Sequence, residues 1–383
     1  MKKYIVSLAA ILLLNTLSAQ VVYKEIYSEK LGENRQIKIQ LPRGYNNDTE
    51  RTYPIIVVFD GDYLFEPVAG NVDYYSYWED MPASIVVGIN QFNKQQDDCY
   101  VSEENFMPVD TGANFFEFVG FELIPYLQQN YRTANFNLAV GHGTTANFIN
   151  YYLLKGRPLF QAYICISPDL EPKMEEYIPE RLTQLDDKLF YYLATATNDF
   201  RTNQEGAEVL NMNVSKINKE TLQYWFDTFE GESHYSLATH AIPNALENIF
   251  SIYQPISKKE YKEVLLTLEY SPVDYLMEKY ETIKSLYNID KTILINDFRA
   301  IAASIEKREL YEYYEALGKL ARKQYPDTLL GNYYLARFYE ETGEPKKAYK
   351  TYKSAYVLDE VAGITKDLML EKAEALRVDF GFN

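Results

Sequence analysis

The sequence predicts an α/β domain with a mostly parallel sheet, followed by a second domain built only of helices. Up to about residue 253, short apolar runs of strand length alternate with helical patterns, which is typical of a parallel sheet covered by helices on both faces. From Ser257 onward strand patterns are few, and Lys, Glu, Leu, Ala and Tyr dominate. The length of 383 residues also exceeds that of an average single domain.

The N-terminal segment has the pattern of a secretory signal peptide. Lys2 and Lys3 precede an apolar run over residues 4–14, and Ala19 ends a small-residue cleavage site. We therefore predict a signal peptide at residues 1–19. The run is shorter than the roughly 20 apolar residues that a transmembrane helix needs, and no other stretch of the sequence approaches that length. The expected location is the periplasm of a bacterium or the exterior, with no transmembrane segment.

The first domain is predicted over residues 20–254, beginning with a hairpin. Residues 21–26 and 35–40 alternate between apolar and polar side chains, and residues 30–33 between them favour a turn. Six short apolar runs then predict buried strands, at residues 53–59, 84–89, 138–140, 162–167, 189–195 and 221–229. Helical patterns lie between several of them, at residues 115–130, 146–155 and 204–216.

The second domain is predicted over residues 255–383 as all-α and similar to tetratricopeptide repeats. Residues 329–359 carry small and aromatic side chains at the spacing of such a repeat, namely Leu335, Ala336, Tyr339, Gly343, Ala348, Tyr352 and Ala355. Helical patterns at residues 292–306 and 310–324 resemble a weaker repeat, and residues 365–377 resemble a capping helix. Stacked repeats offer a groove for peptides or helices, so we expect this domain to bind a protein partner.

Composition excludes some partners and leaves others open. The net charge of −17 argues against nucleic acid as a partner. Cys99 and Cys165 are the two cysteines, and we predict no disulfide, because Cys165 lies in an apolar run typical of a buried thiol. The 36 tyrosines suit a surface that binds carbohydrate or another small molecule, although ordinary packing explains them equally well.

The most informative motif is Gly141-His142-Gly143-Thr144-Thr145, which follows a predicted strand and precedes a predicted helix. In the G-x-S-x-G nucleophile elbow, the third residue is a serine exposed by a strained strand-to-helix turn. Here that position is Gly143, which has no side chain that could attack a carbonyl carbon. The fifth position, usually glycine, is Thr145.

Several segments in order carry a likeness to a known family. They are Tyr53 to Asp62, Met81-Pro82 with Ile85 to Asn90, Phe115 to Thr133, Ser167-Pro168, and Gly231 to Leu237. Together with the elbow, they give residues 53–250 a resemblance to the esterase family of α/β-hydrolases that includes esterase D and the enterochelin esterases. The resemblance implies an α/β-hydrolase fold and a carboxylic ester hydrolase ancestry.

The resemblance also implies roles for individual residues. Gly143 takes the place of the nucleophile, and His234 takes the place of the catalytic histidine. Asp199 follows a late strand, as the catalytic acid does in this fold, but it also suits a helix cap, and Asp187 and Glu205 lie nearby.

The oxyanion hole would use the backbone N–H of Thr144 with a second N–H around Gly61-Asp62. His142, the variable residue of the elbow, is interpreted as structural. Asp98-Cys99-Tyr100 lacks the arginine that the family usually has after the aspartate.

These departures predict an exported, catalytically degenerate hydrolase that acts as a binding or scaffold protein. The alternative is an active ester hydrolase that uses another nucleophile, such as Thr144, or a water molecule activated by His234 and Asp199. The sequence contains no metal-ligand spacing and no phosphate-binding glycine loop, so we expect neither a metal nor a cofactor.

Overall fold

The computed structural model describes residues 21–381, which divide into two compact units. The described residues up to Tyr253, together with Leu286–Ile289, form the first unit, and the remaining residues from Gln254 onward form the second. The predicted signal peptide lies outside the described residues. Among the described helices, none combines the length and the apolarity needed to cross a membrane.

One sheet of eight strands forms the centre of the first unit. Its strands lie in the order β1-β2-β4-β3-β5-β6-β7-β8. β2 pairs antiparallel with β1 and β4, and all other neighbours pair in parallel, which confirms the predicted hairpin and the mostly parallel sheet. The strands are β1 (Val21–Ser28), β2 (Glu33–Gln40), β3 (Tyr53–Val58), β4 (Ile85–Ile89), β5 (Thr133–His142), β6 (Ala162–Ile166), β7 (Leu189–Asn198) and β8 (Leu222–Ser233).

Burial explains why the central strands read as continuous apolar runs. Every residue of β3 and β4 is buried, because helices cover both faces of a parallel sheet. Ile55 and Val57 pack into the same core as Phe115 and Phe148 from helices on one face. The helices are α1 (Phe65–Tyr77), α2 (Gln95–Asp98), α3 (Asp110–Glu117), α4 (Ile124–Asn130), α5 (Thr144–Phe148), α6 (Asn150–Leu153), α7 (Met174–Gln184), α8 (Arg201–Val214) and α9 (His234–Ile249).

Some element boundaries differ from those predicted. β5 begins at Thr133 rather than at residue 138, because its first half alternates polar and apolar residues and shows no apolar run. The helix predicted over residues 115–130 starts earlier, at Asp110, and contains a π-helical segment at Phe118–Leu123. The helix predicted over residues 146–155 is two short helices, α5 and α6. α1, α2, α7 and α9 were not predicted, and in α7 and α9 an internal proline, Pro179 or Pro243, interrupts the helical pattern.

Beyond Tyr253, the named elements of the described chain are helices. Ala336, Ala348, Tyr352 and Ala355, which carry the repeat pattern, are fully buried. A Cβ on Gly318 would lie 2.9 Å from the backbone nitrogen of Leu335, so two of these helices pack backbone to backbone. The helices are α10 (Lys258–Glu260), α11 (Pro272–Tyr287), α12 (Ile295–Arg308), α13 (Tyr314–Gln324), α14 (Leu330–Glu341), α15 (Pro345–Ser354) and α16 (Lys366–Phe380).

Candidate active site

Gly143 occupies a sharp turn between the end of β5 and the start of α5. Its backbone angles are φ 59° and ψ −121°. Residues with a side chain rarely adopt a positive φ with extended ψ, and in a nucleophile elbow this strain is what exposes the attacking group. Glycine adopts the same conformation freely. The chain therefore has the backbone conformation of an elbow, with glycine at the third position of the motif.

The two flanking motif positions are fixed by packing. A Cβ on Gly141 would lie 2.7 Å from backbone atoms of Thr145 and Ala146, so only glycine lets α5 approach β5 this closely. Thr145 is fully buried, and its hydroxyl donates to Asp60 Oδ2 at 2.6 Å and accepts from the N–H of His142 at 3.0 Å. The substitution at the fifth position thus ties α5 to the loop after β3.

Asp60 connects this contact to a buried polar chain. Burial raises the pKa of Asp60 from 3.8 to about 6, against the lowering effect of hydrogen bonds, the largest of which come from Thr145 and Gln95. Its N–H donates to the side chain of Gln91 at 2.9 Å.

The same Gln91 donates to Asp98 at 3.1 Å, and Asp98 forms a two-bond ion pair with Arg35 from β2. Both charged side chains are buried. The arginine expected after Asp98 is absent from that position, but an arginine from a distant strand pairs with the carboxylate.

His234 and Asp199 are in direct contact. His234 is the first residue of α9 and Asp199 follows β7, and their Nδ1 and Oδ1 atoms are 2.9 Å apart. The Asp199 carboxylate also accepts from Thr195 Oγ1 at 3.1 Å and from the Phe200 N–H at 2.8 Å. Burial raises the pKa of Asp199, but hydrogen bonds, above all that from His234, outweigh it, and the net shift is downward. An ionised carboxylate therefore holds the Nδ1–H of the imidazole.

Ser167 completes this contact from the end of β6. Its hydroxyl donates to Asp199 Oδ1 at 2.9 Å and lies 2.8 Å from His234 Nδ1, while Asn203 donates to it at 3.2 Å. Ser167 is fully buried and has a positive φ of 48°. Because it touches the Nδ1 side of the ring, it orients His234 and does not face the pocket as a nucleophile would.

The other ring nitrogen of His234 faces Gly143. A Cβ on Gly143 would lie 3.6 Å from Nε2 and 3.5 Å from Cε1, and no other atom outside its chain neighbours would come closer. A serine at this position would place its hydroxyl within hydrogen-bonding reach of Nε2. With the proton held on Nδ1, Nε2 is the acceptor that such a hydroxyl would need.

The imidazole of His234 is stacked between two further rings. The centroids of His142 and Phe200 lie 4.3 Å and 4.4 Å from that of His234, each with an interplanar angle of 27°. His142 Nε2 donates to the His234 carbonyl at 3.0 Å, so its Nδ1 accepts from the Tyr63 hydroxyl at 3.1 Å. Burial lowers the pKa of His142 to about 4, which keeps it neutral near pH 7.

Among the residues predicted for the oxyanion hole, some backbone N–H groups are already hydrogen-bonded within the protein and others are not. The N–H of Thr144 is at the first position of α5 and has no partner within that helix. The N–H of Gly61 donates to the Ile89 carbonyl at 2.8 Å and is therefore engaged. Asp62 accepts from the Gln91 N–H at 3.0 Å through its carboxylate. This leaves the N–H groups of Thr144 and Asp62 as candidates.

A pocket of about 470 Å³ opens over these groups. Aromatic and polar side chains surround the elbow, and the lining residues are Tyr63, Gln95, His142, Gly143, Thr144, Asp169, Phe200, Asn203, His234 and Tyr235. Within residues 21–381, no group of three or more His, Cys, Asp or Glu residues could hold a metal ion. Cys99 and Cys165 are both buried and free.

The structure thus brings Gly143, His234, Asp199 and Thr144 together at one edge of the sheet. The sequence argument did not find Ser167 and Asn203 as site residues, and it also missed Tyr63 and Phe200. For Phe200 a signal existed, because it directly follows Asp199. For Ser167 the decisive feature is its left-handed backbone, which residue types alone do not show.

The strand order, the elbow after β5, and an Asp–His pair from the ends of β7 and β8 define an α/β-hydrolase fold. A family model described as "Putative esterase" matches residues 28–249, and the chain belongs to this family. A search of curated proteins finds no match.

Many solved structures resemble the chain, and three of them cover a wide range of similarity. An uncharacterised protein from Capnocytophaga ochracea is 33% identical with a TM-score of 0.86, covering 94% of this chain and 100% of its own. An IroE-like serine hydrolase from Shewanella oneidensis is 20% identical with a TM-score of 0.60, and the match covers 79% of this chain and 98% of the hydrolase. The siderophore hydrolase EstA from Aspergillus nidulans is 13% identical with a TM-score of 0.51, and the match covers 61% of this chain and 94% of EstA. The last two show the shared fold.

Proposed function

We propose that this protein binds a small carbonyl-bearing molecule in the hydrolase pocket and does not cleave it. The observation that carries the proposal is Gly143 at the elbow, beside a His234–Asp199 pair that is still hydrogen-bonded. Acyl transfer in this fold needs an oxygen or sulfur attached to the elbow residue, and glycine has neither. The pocket therefore keeps its binding groups and lacks the group that attacks.

The neighbouring hydroxyl groups do not replace the missing one. The Thr145 hydroxyl is buried and bonded to Asp60. The Ser167 hydroxyl lies on the Asp199 side of the imidazole. Among the described hydrogen bonds, none joins the Thr144 side chain to His234. These contacts support the loss of acyl-transfer activity, because no neighbouring hydroxyl group has taken over the role of the nucleophile.

The lining of the pocket favours a ligand with a carbonyl group and an aromatic or apolar body. The Thr144 N–H offers a donor for a carbonyl oxygen, and Tyr63, Phe200 and Tyr235 offer ring surfaces. The names of the serine hydrolase and siderophore hydrolase relatives agree with a small ester-like ligand. A carbohydrate is a further possible ligand, since tyrosine rings also bind sugars.

Covalent labelling tests the loss of the nucleophile. The purified protein and the Gly143→Ser variant are treated with a fluorophosphonate probe, and the labelled peptides are mapped by mass spectrometry. We expect no label on any serine or threonine of the pocket in the wild type and label on residue 143 in the variant. Label on a wild-type hydroxyl that disappears in His234→Ala would overturn the proposal.

A second candidate is slow ester hydrolysis by Thr144 or by a water molecule activated by His234. The observation in its favour is that Nε2 of His234 faces the open pocket beside Gly143. Mass spectrometry after incubation with p-nitrophenyl acetate tests the threonine route, since attack by Thr144 leaves an acetyl group on that residue. We expect no acetylated Thr144.

We also propose that the protein is exported and that its helical unit, similar to tetratricopeptide repeats, binds a protein partner as part of a scaffold. The charge and apolar pattern of residues 1–19 supports export. Burial of the repeat-pattern residues Ala336, Ala348 and Tyr352 supports stacked repeats. N-terminal sequencing of the protein from the periplasmic fraction tests the first part, and a chain that still begins at Met1 would contradict it.

A further inference from the structure

We propose that the ligand of this pocket is an aromatic primary carboxamide, with its NH₂ group in the space beside Gly143 that a serine side chain would fill. This inference rests on the proposed function and names the chemical class of the ligand. It gives the glycine a role, because the ligand supplies the hydrogen-bond donor that a serine hydroxyl would otherwise supply to the histidine.

The first argument concerns the hydrogen bonds that the site can still make. Asp199 Oδ1 lies 2.9 Å from Nδ1 of His234, so the neutral imidazole carries its proton on Nδ1 and presents Nε2 as an acceptor. The backbone N–H of Thr144, directly after the elbow residue, is a donor. Among the described hydrogen bonds, none engages Nε2 of His234 or the N–H of Thr144. A matching ligand therefore accepts at one atom and donates at another.

The second argument is the spacing of these two groups. A Cβ on Gly143 would lie 3.6 Å from Nε2 of His234, and the nitrogen of Thr144 is bonded to the carbonyl carbon of the same glycine. In the tetrahedral intermediate of a serine hydrolase, one carbon atom carries both the oxygen in the oxyanion hole and the serine oxygen beside the histidine. A primary carboxamide also carries its two polar atoms on one carbon. Its oxygen can accept from Thr144, and its NH₂ group can donate to Nε2.

Glycine leaves the space beside the histidine to a ligand. A serine at position 143 would place its own Cβ and hydroxyl where the NH₂ group lies. At Gly143, the nearest atoms to the Cβ position outside the chain neighbours are Cε1 and Nε2 of His234, at 3.5 Å and 3.6 Å. The space therefore holds one small group in contact with the acceptor.

The third argument is that the lining favours a neutral donor over an anion or an ester. The carboxylate of Asp169 is exposed in the pocket and adds a negative charge and a second acceptor, and the lining residues include no lysine or arginine. A carboxylate ligand would bring a negative charge and no donor to these groups. An ester would also leave Nε2 of His234 unpaired, and an unpaired polar group in a buried site is costly.

The fourth argument concerns the rest of the ligand. Tyr235 is 77% exposed and Phe200 is 50% exposed at the rim of the pocket, and their rings meet at 89°. Exposed aromatic rings beside a polar site are typical of a surface that is covered by a ligand. A ring on the carboxamide group can lie against these two side chains. The volume of about 470 Å³ suits a molecule of this size.

Three ligands of nearly equal size test the inference. Benzamide, acetophenone and benzoate share a ring and a carbonyl oxygen, and they differ in the second group, which is NH₂, methyl or a charged oxygen. Each is titrated into the whole ¹⁵N-labelled protein at about pH 8, above the ordinary pKa of histidine. We expect benzamide to bind at least about fivefold more tightly than either of the others, because it alone pairs with Nε2 of His234.

The imidazole ¹⁵N signals locate the contact. The chain has three histidines, so the spectrum contains few imidazole signals. We expect benzamide to shift the Nε2 signal of His234 in the direction of a nitrogen that accepts a hydrogen bond, and acetophenone to shift it less. His240, which pairs with Glu232 at the surface, serves as the internal reference and should not move.

Two variants separate the space beside Gly143 from the rest of the pocket. Gly143→Ala fills that space with a methyl group, so we expect benzamide to lose its advantage over acetophenone. Tyr235→Ala removes an exposed ring and leaves the space open, so it should weaken both ligands by a similar factor and keep their ratio. Thermal unfolding shows whether Gly143→Ala is folded, and the comparison of the three ligands on the wild type does not depend on that variant.

The outcomes separate this inference from the proposed function. If benzamide does not bind, or if acetophenone or benzoate binds as tightly, the carboxamide inference is overturned, and the proposed function stands as long as the wild type has no esterase activity. If Gly143→Ala is folded and keeps the preference for benzamide, the space beside Gly143 is not the binding position and the inference fails. If the wild type is labelled by a fluorophosphonate in a His234-dependent reaction, the proposed function itself fails.

Discussion

Replacing Gly143 by serine should create a working nucleophile at a measurable cost in stability. The new side chain meets no clash, because its Cβ would lie 3.5 Å and 3.6 Å from the nearest atoms, both in His234. The cost comes from the backbone, since the angles φ 59° and ψ −121° are unfavourable for a residue with a side chain. Such strain costs about 1–3 kcal/mol.

The size of the effects follows from these numbers. In a domain of about 250 residues, 1 kcal/mol lowers Tm by about 2–4 °C, so Gly143→Ser should lower Tm by about 2–12 °C. Removal of the serine from a working triad costs about 10⁶-fold in kcat. The proposed role of the pocket is binding and not turnover, so we expect less than this full factor, with Gly143→Ser gaining at least about 100-fold over Gly143→Ala.

Hydrolysis of p-nitrophenyl acetate and differential scanning calorimetry measure the two effects. Gly143→Ala is the matched control, because it shares the backbone strain and lacks the hydroxyl. Gly143→Ser combined with His234→Ala tests whether the gain depends on the histidine.

Two results would refute the reasoning. If Gly143→Ala melts at the wild-type temperature, the elbow is not strained. If Gly143→Ser is no faster than Gly143→Ala, the donors or the His234–Asp199 pair are not arranged for acyl transfer.

Three further changes test the network behind the elbow. Thr145→Val keeps the side-chain volume but removes the hydroxyl that donates to Asp60 and accepts from the His142 N–H. It should therefore lower the free energy of unfolding in urea by about 1.5–3 kcal/mol. The control variant Thr144→Val should lower it little. Asp60 has its pKa raised from 3.8 to about 6 by burial, so its ionisation opposes folding as the pH rises through this range, by up to about 3 kcal/mol. Asp60→Asn removes this penalty. The free energy of unfolding of the variant minus that of the wild type should therefore rise between pH 4 and pH 7. A difference that does not change with pH would contradict the raised pKa of Asp60. Arg35→Met leaves the buried Asp98 carboxylate unpaired and should cost about 3–5 kcal/mol, while the double variant with Asp98→Leu should recover most of that loss.

Local patterns were sufficient to predict the mostly parallel sheet of the first unit. The runs of Val and Ile in β3 and β4 predict buried parallel strands because a parallel sheet has no solvent-facing side. The first half of β5 escaped this criterion because its polar residues alternate with apolar ones. The π-helical segment at Phe118–Leu123 has no distinctive composition, so its existence depends on packing.

Site residues could be predicted from the sequence where the residue type is rare in the chain and has a single expected role in the fold. His234 stood out because the chain has few histidines, and its contact with Asp199 agrees with the order of residues along an α/β-hydrolase chain. Thr145 looked like a sign of decay, but its hydroxyl is buried against Asp60 in an ordered contact. The Arg35–Asp98 pair joins residues 63 positions apart in the chain, and local sequence patterns carry no record of such a contact.

The most direct test of the central claim compares p-nitrophenyl acetate hydrolysis by the wild type and by His234→Ala. A binding protein that has lost its nucleophile gives the same rate for both, equal to that of a denatured control at the same protein concentration. A wild-type rate that clearly exceeds that of His234→Ala would show that the site still catalyses hydrolysis, and would contradict the account.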